Sequence, residues 1–228
     1  MPYHELPSHN QEQYESLPSK ERYSFHCKAI AISGRPGAGV SSTARVLAED
    51  LQINLYDVGQ IEFRTEIDLE IIDYLRRPLK QDKLADQHQK ELLINATPDN
   101  PLLLVSRLAG IITNEAREEN VVTLFLSCPR DIRYHRILER EKARGTTGLT
   151  LRTVGINTRH REQSDINQFK RVHPQIEYSN PFDPNAKDEN GNRIYKHVVS
   201  SAKNTSKEIA DEIVRILIED GAIAKIIN

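Results

Sequence analysis

The sequence predicts an α/β fold: a five-stranded parallel sheet with helices on both faces, carrying a helical lid. Three observations support this. From Cys27 onward, short apolar runs alternate with amphipathic stretches, the pattern of βαβ units. Each run is apolar at consecutive positions, as in a strand covered by helices on both sides. A glycine-rich turn follows the first run and opens directly into a helix. The composition fits one sizeable domain: 228 residues, with 31 Lys+Arg against 33 Asp+Glu giving a net charge of -2. That balance leaves no global basic field, so neither nucleic acid nor a membrane surface is an expected partner. No run approaches the ~18 consecutive apolar residues of a membrane span, and the first residues lack a signal peptide's basic-then-apolar order, so a cytoplasmic location is expected. Cys27 and Cys128 are too few for a disulfide framework, and no Cys/His spacing suggests a metal.

Residues 1–26 are polar, hold three prolines among the first 20 positions and show no apolar period, so they read as a flexible extension to a domain over 27–228. Strands are expected at 28–33 (KAIAIS), 53–57 (INLYD), 102–106 (LLLVS), 121–127 (VVTLFLS) and 197–200 (HVVS). A helix over 41–51 places Ala44, Leu47, Ala48 and Leu51 on one face, and Leu108, Ile111, Ile112 and Ala116 do the same after the third strand. Ser127-Cys-Pro129 reads as the cap of the next helix. Thr205-x-x-Glu208 is a capping box opening the last helix, which stops at Gly221. The stretch 178–194, rich in Pro, Asn, Asp and Gly, reads as a solvated loop insertion. Its alternating oxygen donors around Asp188 do not have the spacing of an EF-hand.

The chemistry is concentrated in Gly34-Arg35-Pro36-Gly37-Ala38-Gly39-Val40-Ser41-Ser42, the layout of a P-loop between a strand and a helix. Its glycines let backbone N–H groups turn inward around phosphate oxygens, and the following helix N-terminus adds partial positive charge. The Ser41 hydroxyl is placed to ligate Mg²⁺. Thus Gly34, Gly37, Ala38, Gly39, Val40, Ser41 and Ser42 are the candidate ATP phosphate site. Position 40 departs from the pattern, with valine where lysine is usual; Arg35, inside the loop, is the candidate to lend a charge. Between Arg130 and His173 stand eleven Lys+Arg against five acids, which suits a lid over about 140–174 that closes on a polyphosphate.

The order IAISGRPGAGVSSTARVLAEDL, LYDVGQIEFR, LLLVSRLAG, LFLSCPRDIRYHRILERE, HREQSD and YKHVVSSAKNTSKEIADEIV resembles the cytidylate kinases, P-loop nucleoside monophosphate kinases, and within them the compact archaeal-type branch. The resemblance implies the nucleoside monophosphate kinase strand order, an acceptor-binding region after the second strand, and transfer of the ATP γ-phosphoryl to CMP or dCMP with Mg²⁺. It also implies an acceptor-phosphate role for Arg64 and Arg107, lid roles for Arg133, Arg136, Arg159 and Arg161, and backbone contact with adenine at Ser201, Ala202 and Lys203. Arg35, Arg107 and Arg161 are the expected catalytic cations. A monomer is the default expectation. Three departures remove charge from the site: Val40, Val105 where relatives often carry an acid, and Ile166-Asn167-Gln168-Phe169 in place of an arginine-rich run. They raise the alternative of a catalytically impaired nucleotide-binding protein on the same fold.

Overall fold

The computed structural model describes residues 22–61, 79–173 and 180–226. In chain order its elements are β1 (Arg22–Phe25), β2 (Ala29–Gly34), α1 (Val40–Leu51), β3 (Asn54–Asp57), the single-turn α2 (Val58–Ile61), α3 (Leu79–Asn95), β4 (Leu102–Val105), α4 (Ala109–Glu115) and β5 (Val121–Ser127). They continue with α5 (Arg130–Ala143), α6 (Leu151–Val172), β6 (His197–Ser200), α7 (Ser206–Glu219) and β7 (Ile223–Ile226). The main sheet runs β3-β4-β2-β5-β6, with every pairing parallel. All five expected strands are present, and β2 lies at the centre, buried along its whole length.

Alternation along the central strands divides the core into two layers. Ile30, Ile32, Leu103 and Val105 face one side, where α1 and α7 pack through Leu47, Leu51, Ile209, Ile213 and Leu217. Ala29, Ala31, Leu102 and Leu104 face the other, against Leu93 of α3 and Ile112 of α4. The period of two sets which face each residue serves. On β3, Leu55 packs into the first layer and Tyr56 into the second, so Asp57 extends on the α1 side.

Three expectations are corrected. Residues 22–25, assigned to the flexible extension, form β1, paired antiparallel with β7, and Tyr23 and Phe25 pack on the core. The stretch described between 180 and 194 is not merely solvated: Phe182, Ala186 and Ile194 are buried, and Thr123 Oγ1 donates to the Ile194 carbonyl at 2.6 Å. Its exposed tip is a turn in which Asp188 accepts from the Asn190 and Asn192 amides. Pro129, not Ser127, is the N-cap of α5, and no side chain caps that helix. Ser127 Oγ instead donates to the Val199 carbonyl on the neighbouring strand. By contrast, α7 opens with the Thr205/Glu208 capping box read from the sequence.

Candidate active site at the carboxyl edge of the sheet

The turn after β2 owes its shape to two glycines. Gly37 and Gly39 have φ of 83° and 91°, in the left-handed region that disfavours side chains. A Cβ on Gly37 would also stand 2.7 Å from the Arg133 carbonyl. Gly39 is the N-cap of α1 and no side chain caps that end, so the helix's first N–H groups face the loop as an anion site. Val40 packs against the core, with its Cγ2 2.6 Å from where a Gly34 Cβ would lie. Position 40 therefore supplies no cation. Its apolar side chain helps seal the loop onto the sheet.

The loop forms one wall of a cleft of about 970 Å³, at the top of the range of about 300–1,000 Å³ common for ligand sites. Gly34, Gly37, Gly39, Val40, Ser41 and Ser42 line it, whereas Ala38 is buried behind the loop. Arg35, Arg107, Arg136 and Arg161 also line it. Arg35 Nη1 donates to Glu162 Oε2 at 3.0 Å, Nη2 to the Phe182 carbonyl at 3.4 Å, and its guanidinium lies 5.5 Å from the Phe182 ring centroid. Arg107 is ion-paired with Asp165. One turn of α6 thus presents a carboxylate to each of two cleft arginines, a form of competition that an incoming phosphate would meet.

Arg133 has a different position from the one expected of a lid residue. Only 2 % exposed, it donates from Nη1 to the Pro36 carbonyl at 2.9 Å and to Glu162 Oε1 at 2.6 Å, tying loop, α5 and α6 together. Arg136 donates from Nη2 to the Ser201 carbonyl at 2.6 Å, and Ser201 Oγ donates to the Ala38 carbonyl at 2.7 Å. These bonds lash the segment after β6 to the loop. There Asn204, Thr205 and Ser206 line the cleft rather than Ala202 and Lys203. Arg159 is exposed and does not line the cleft, two residues from Arg161, which does. Arg64 lies outside the described residues.

The opposite wall was not foreseen. Asp82, Ala85, Asp86 and Gln89 of α3 line it together with Gln168, Phe169 and His173 at the end of α6. His173 is 4 % exposed, with Nε2 2.8 Å from Asp86 Oδ2 and Nδ1 2.8 Å from Glu115 Oε1. Burial opposes charge on the ring, but bonding to both carboxylates outweighs it and raises the pKa to about 9. Partial burial pushes the Glu115 carboxyl up, but hydrogen bonds and charge from His173 and Lys90 outweigh it and lower its pKa. With both ring nitrogens on carboxylates the imidazolium is the natural form, and three helices meet on one charged clasp.

Among the described residues no group of three or more His, Cys, Asp or Glu is gathered to hold a metal. A phosphate-borne Mg²⁺ needs fewer protein ligands, one or two oxygens being usual, and Ser41 and Asp57 on the cleft wall offer that donor set. No described helix is long and apolar enough to cross a membrane.

Comparison with known proteins agrees with this architecture. The chain is 28% identical over 195 residues to the cytidylate kinase of Methanosarcina barkeri, covering 83% of this chain and 96% of that protein. It is 27% identical over 146 residues to that of Haloquadratum walsbyi, covering 63% and 71%. No protein-family model matches. Among solved structures, a shikimate kinase from Acinetobacter baumannii superposes with a TM-score of 0.54 at 13% identity, over 86% of this chain and 95% of that one. A gluconokinase from Sinorhizobium meliloti gives 0.53 at 14% identity, over 86% and 93%. The chain is similar in sequence to the archaeal cytidylate kinases and has the P-loop kinase fold.

Proposed function

We propose that this protein transfers the γ-phosphoryl group of Mg²⁺-bound ATP to a nucleoside monophosphate, with CMP and dCMP as preferred acceptors, acting as a cytoplasmic monomer. The observation that carries the reading is that the P-loop, Arg107 and Arg161 line one cleft. The similarity to proteins named cytidylate kinase favours CMP as the acceptor. An acceptor phosphate oxygen attacks the γ-phosphorus as the bond to the β–γ bridging oxygen breaks, giving ADP and CDP. A phosphate oxygen is already a nucleophile, so the protein's contribution is positioning and charge. The loop amides and the α1 N-terminus hold the donor phosphates, with Ser41 toward the metal. Arg107 orients the acceptor phosphate, and Arg35 and Arg161 balance the charge that spreads over the transferring group. Mg²⁺, when bound, neutralises the donor phosphates.

Val40 supports a second reading, a nucleotide-binding protein with impaired catalysis, because losing one preorganised cationic donor typically costs about 10²-fold in rate. The deciding experiment incubates the protein with Mg²⁺-ATP and, separately, CMP, dCMP, UMP and AMP, and resolves the products by chromatography. CDP forming fastest supports the kinase. ATP untouched with every acceptor, with nucleotide still bound and turnover created by Val40→Lys, supports the second reading.

A further inference from the structure

Between Arg130 and His173 eleven Lys+Arg stand against five acids, and the fold sorts these charges by sign. Arg136, Arg140, Arg144 and Arg161 line the cleft, and Arg133 is buried against the Pro36 carbonyl. On α5 much of the exposed charge is balanced locally: Glu139 pairs with Lys142, and Glu141 with Arg140 and Arg144. Both acids of α6 are taken up by arginines of the interior and the cleft, Glu162 by Arg35 and Arg133, and Asp165 by Arg107. What α6 leaves in solvent is Arg152, Arg159, Lys170 and Arg171, with no acid at any exposed position of the helix. No carboxylate among the described residues pairs with these four cations. The net charge of -2, on which nucleic acid is not an expected partner, averages this sorting away.

The four cations are also aligned. At about 100° per residue, Arg159 stands about 20° around the axis from Arg152, and Lys170 falls about five full turns beyond it on the same meridian. The row is about 27 Å long, at about 1.5 Å of rise per residue. Exposed Gln163 and Asn167 fill the gap between Arg159 and Lys170, and Arg171 flanks the far end. A straight row of cations and side-chain amides, all phosphate donors, matches a partner whose own charge is regularly spaced along an axis; a nucleic-acid duplex carries one phosphate per about 1.7 Å. No exposed Phe, Tyr or Trp stands on α6 to stack the bases of a single strand, and no exposed apolar residue lies from Arg159 to Arg171 to anchor a protein partner. We propose that the outer face of α6 docks the phosphate backbone of a nucleic-acid duplex without reading its bases. The docking face is separate from the cleft, so the proposal does not depend on phosphoryl transfer.

The test follows the fluorescence anisotropy of dye-labelled DNA duplexes of about 20 base pairs, in two unrelated sequences, as the full chain is added at increasing KCl and without nucleotide. Their ends are hydroxyls, so no terminal phosphate competes for the P-loop. Both sequences are expected to bind equally, with log K falling against log salt at a slope of about -3, from three neutralised phosphates at about 0.9 each. Replacing Arg152, Arg159 and Lys170 together by Gln, a good helix former, is expected to flatten the slope toward zero and weaken low-salt binding by about tenfold or more, with helix content by circular dichroism unchanged. Arg130→Gln with Lys142→Gln, which removes exposed cations from α5, is expected to leave slope and affinity as they were. No duplex binding at low salt overturns the proposal, as does an undiminished slope in the α6 variant, which would place the duplex elsewhere. Equal weakening in the α5 variant overturns it in favour of net charge alone, and tighter binding of poly-glutamate than of duplex overturns it in favour of an acidic protein.

Discussion

The clasp on His173 gives the fold a pH dependence whose sign and size follow from its geometry. His173 is the C-cap residue of α6, its ring bonds to Asp86 of α3 and Glu115 of α4, and its pKa is about 9 against a reference of 6.5. A folded-state pKa above the unfolded one means the protonated ring favours the native state. That contribution is complete below about pH 6.5 and is lost as pH rises through 9. A difference of about 2.5 pKa units at 1.36 kcal/mol each sets the contribution at about 3 kcal/mol. The perturbation is alkaline pH, with His173→Gln as the reference protein in which nothing titrates at that position. Urea unfolding of both proteins at pH 6.5 and 9.5 supplies the four free energies needed, and subtracting the variant removes other titrations. The stability gap between wild type and variant is expected to shrink by about 2–3 kcal/mol at the higher pH. A gap that stays constant to within about 0.5 kcal/mol would refute a charged clasp, leaving His173 as a neutral packing residue.

Glu162→Gln removes the carboxylate shared by Arg35 and the buried Arg133. Leaving a buried guanidinium without its counter-charge costs about 3–5 kcal/mol, and the loss appears as a lower urea midpoint. Gly110→Ala drives a methyl group into the ring of fully buried Tyr195. Overpacking of this kind costs about 1–3 kcal/mol, read as a lowered thermal midpoint. Arg107→Gln is expected to raise KM for CMP by about tenfold or more while KM for ATP stays within about twofold, as steady-state kinetics would show.

Much of the scaffold is legible because buried parallel strands are local signals: β2, β4 and β5 are continuous apolar runs needing no distant partner for recognition. The capping box of α7 is equally local. Helix α3 is hidden for the opposite reason. Its buried stripe, Asp82, Ala85, Asp86, Gln89 and Leu93, has helical spacing but is mostly polar, so hydrophobic periodicity does not reveal it. Strand β1 is short and half exposed, and it is a strand only because β7 pairs with it from the other end of the chain. The glycine spacing of the P-loop is visible in sequence, whereas what holds its arginine is not. Arg35 and Glu162 are 127 residues apart, as are Arg133 and Glu162 by 29 and His173 and Asp86 by 87. Proximity of that kind is created by the fold. The basic composition of 130–173 likewise gives no means of telling Arg161, at the cleft, from exposed Arg159.

The central claim is that donor and acceptor nucleotides meet in one cleft, between the P-loop and the wall formed by α3 and the end of α6. Calorimetric titration with a bisubstrate analogue, adenosine and cytidine joined 5′ to 5′ through five phosphates, tests it most directly. One analogue is expected to bind per chain, more tightly than ATP or CMP alone, and to be displaced by either. Failure to bind, or displacement by ATP while saturating CMP leaves the analogue in place, would contradict it.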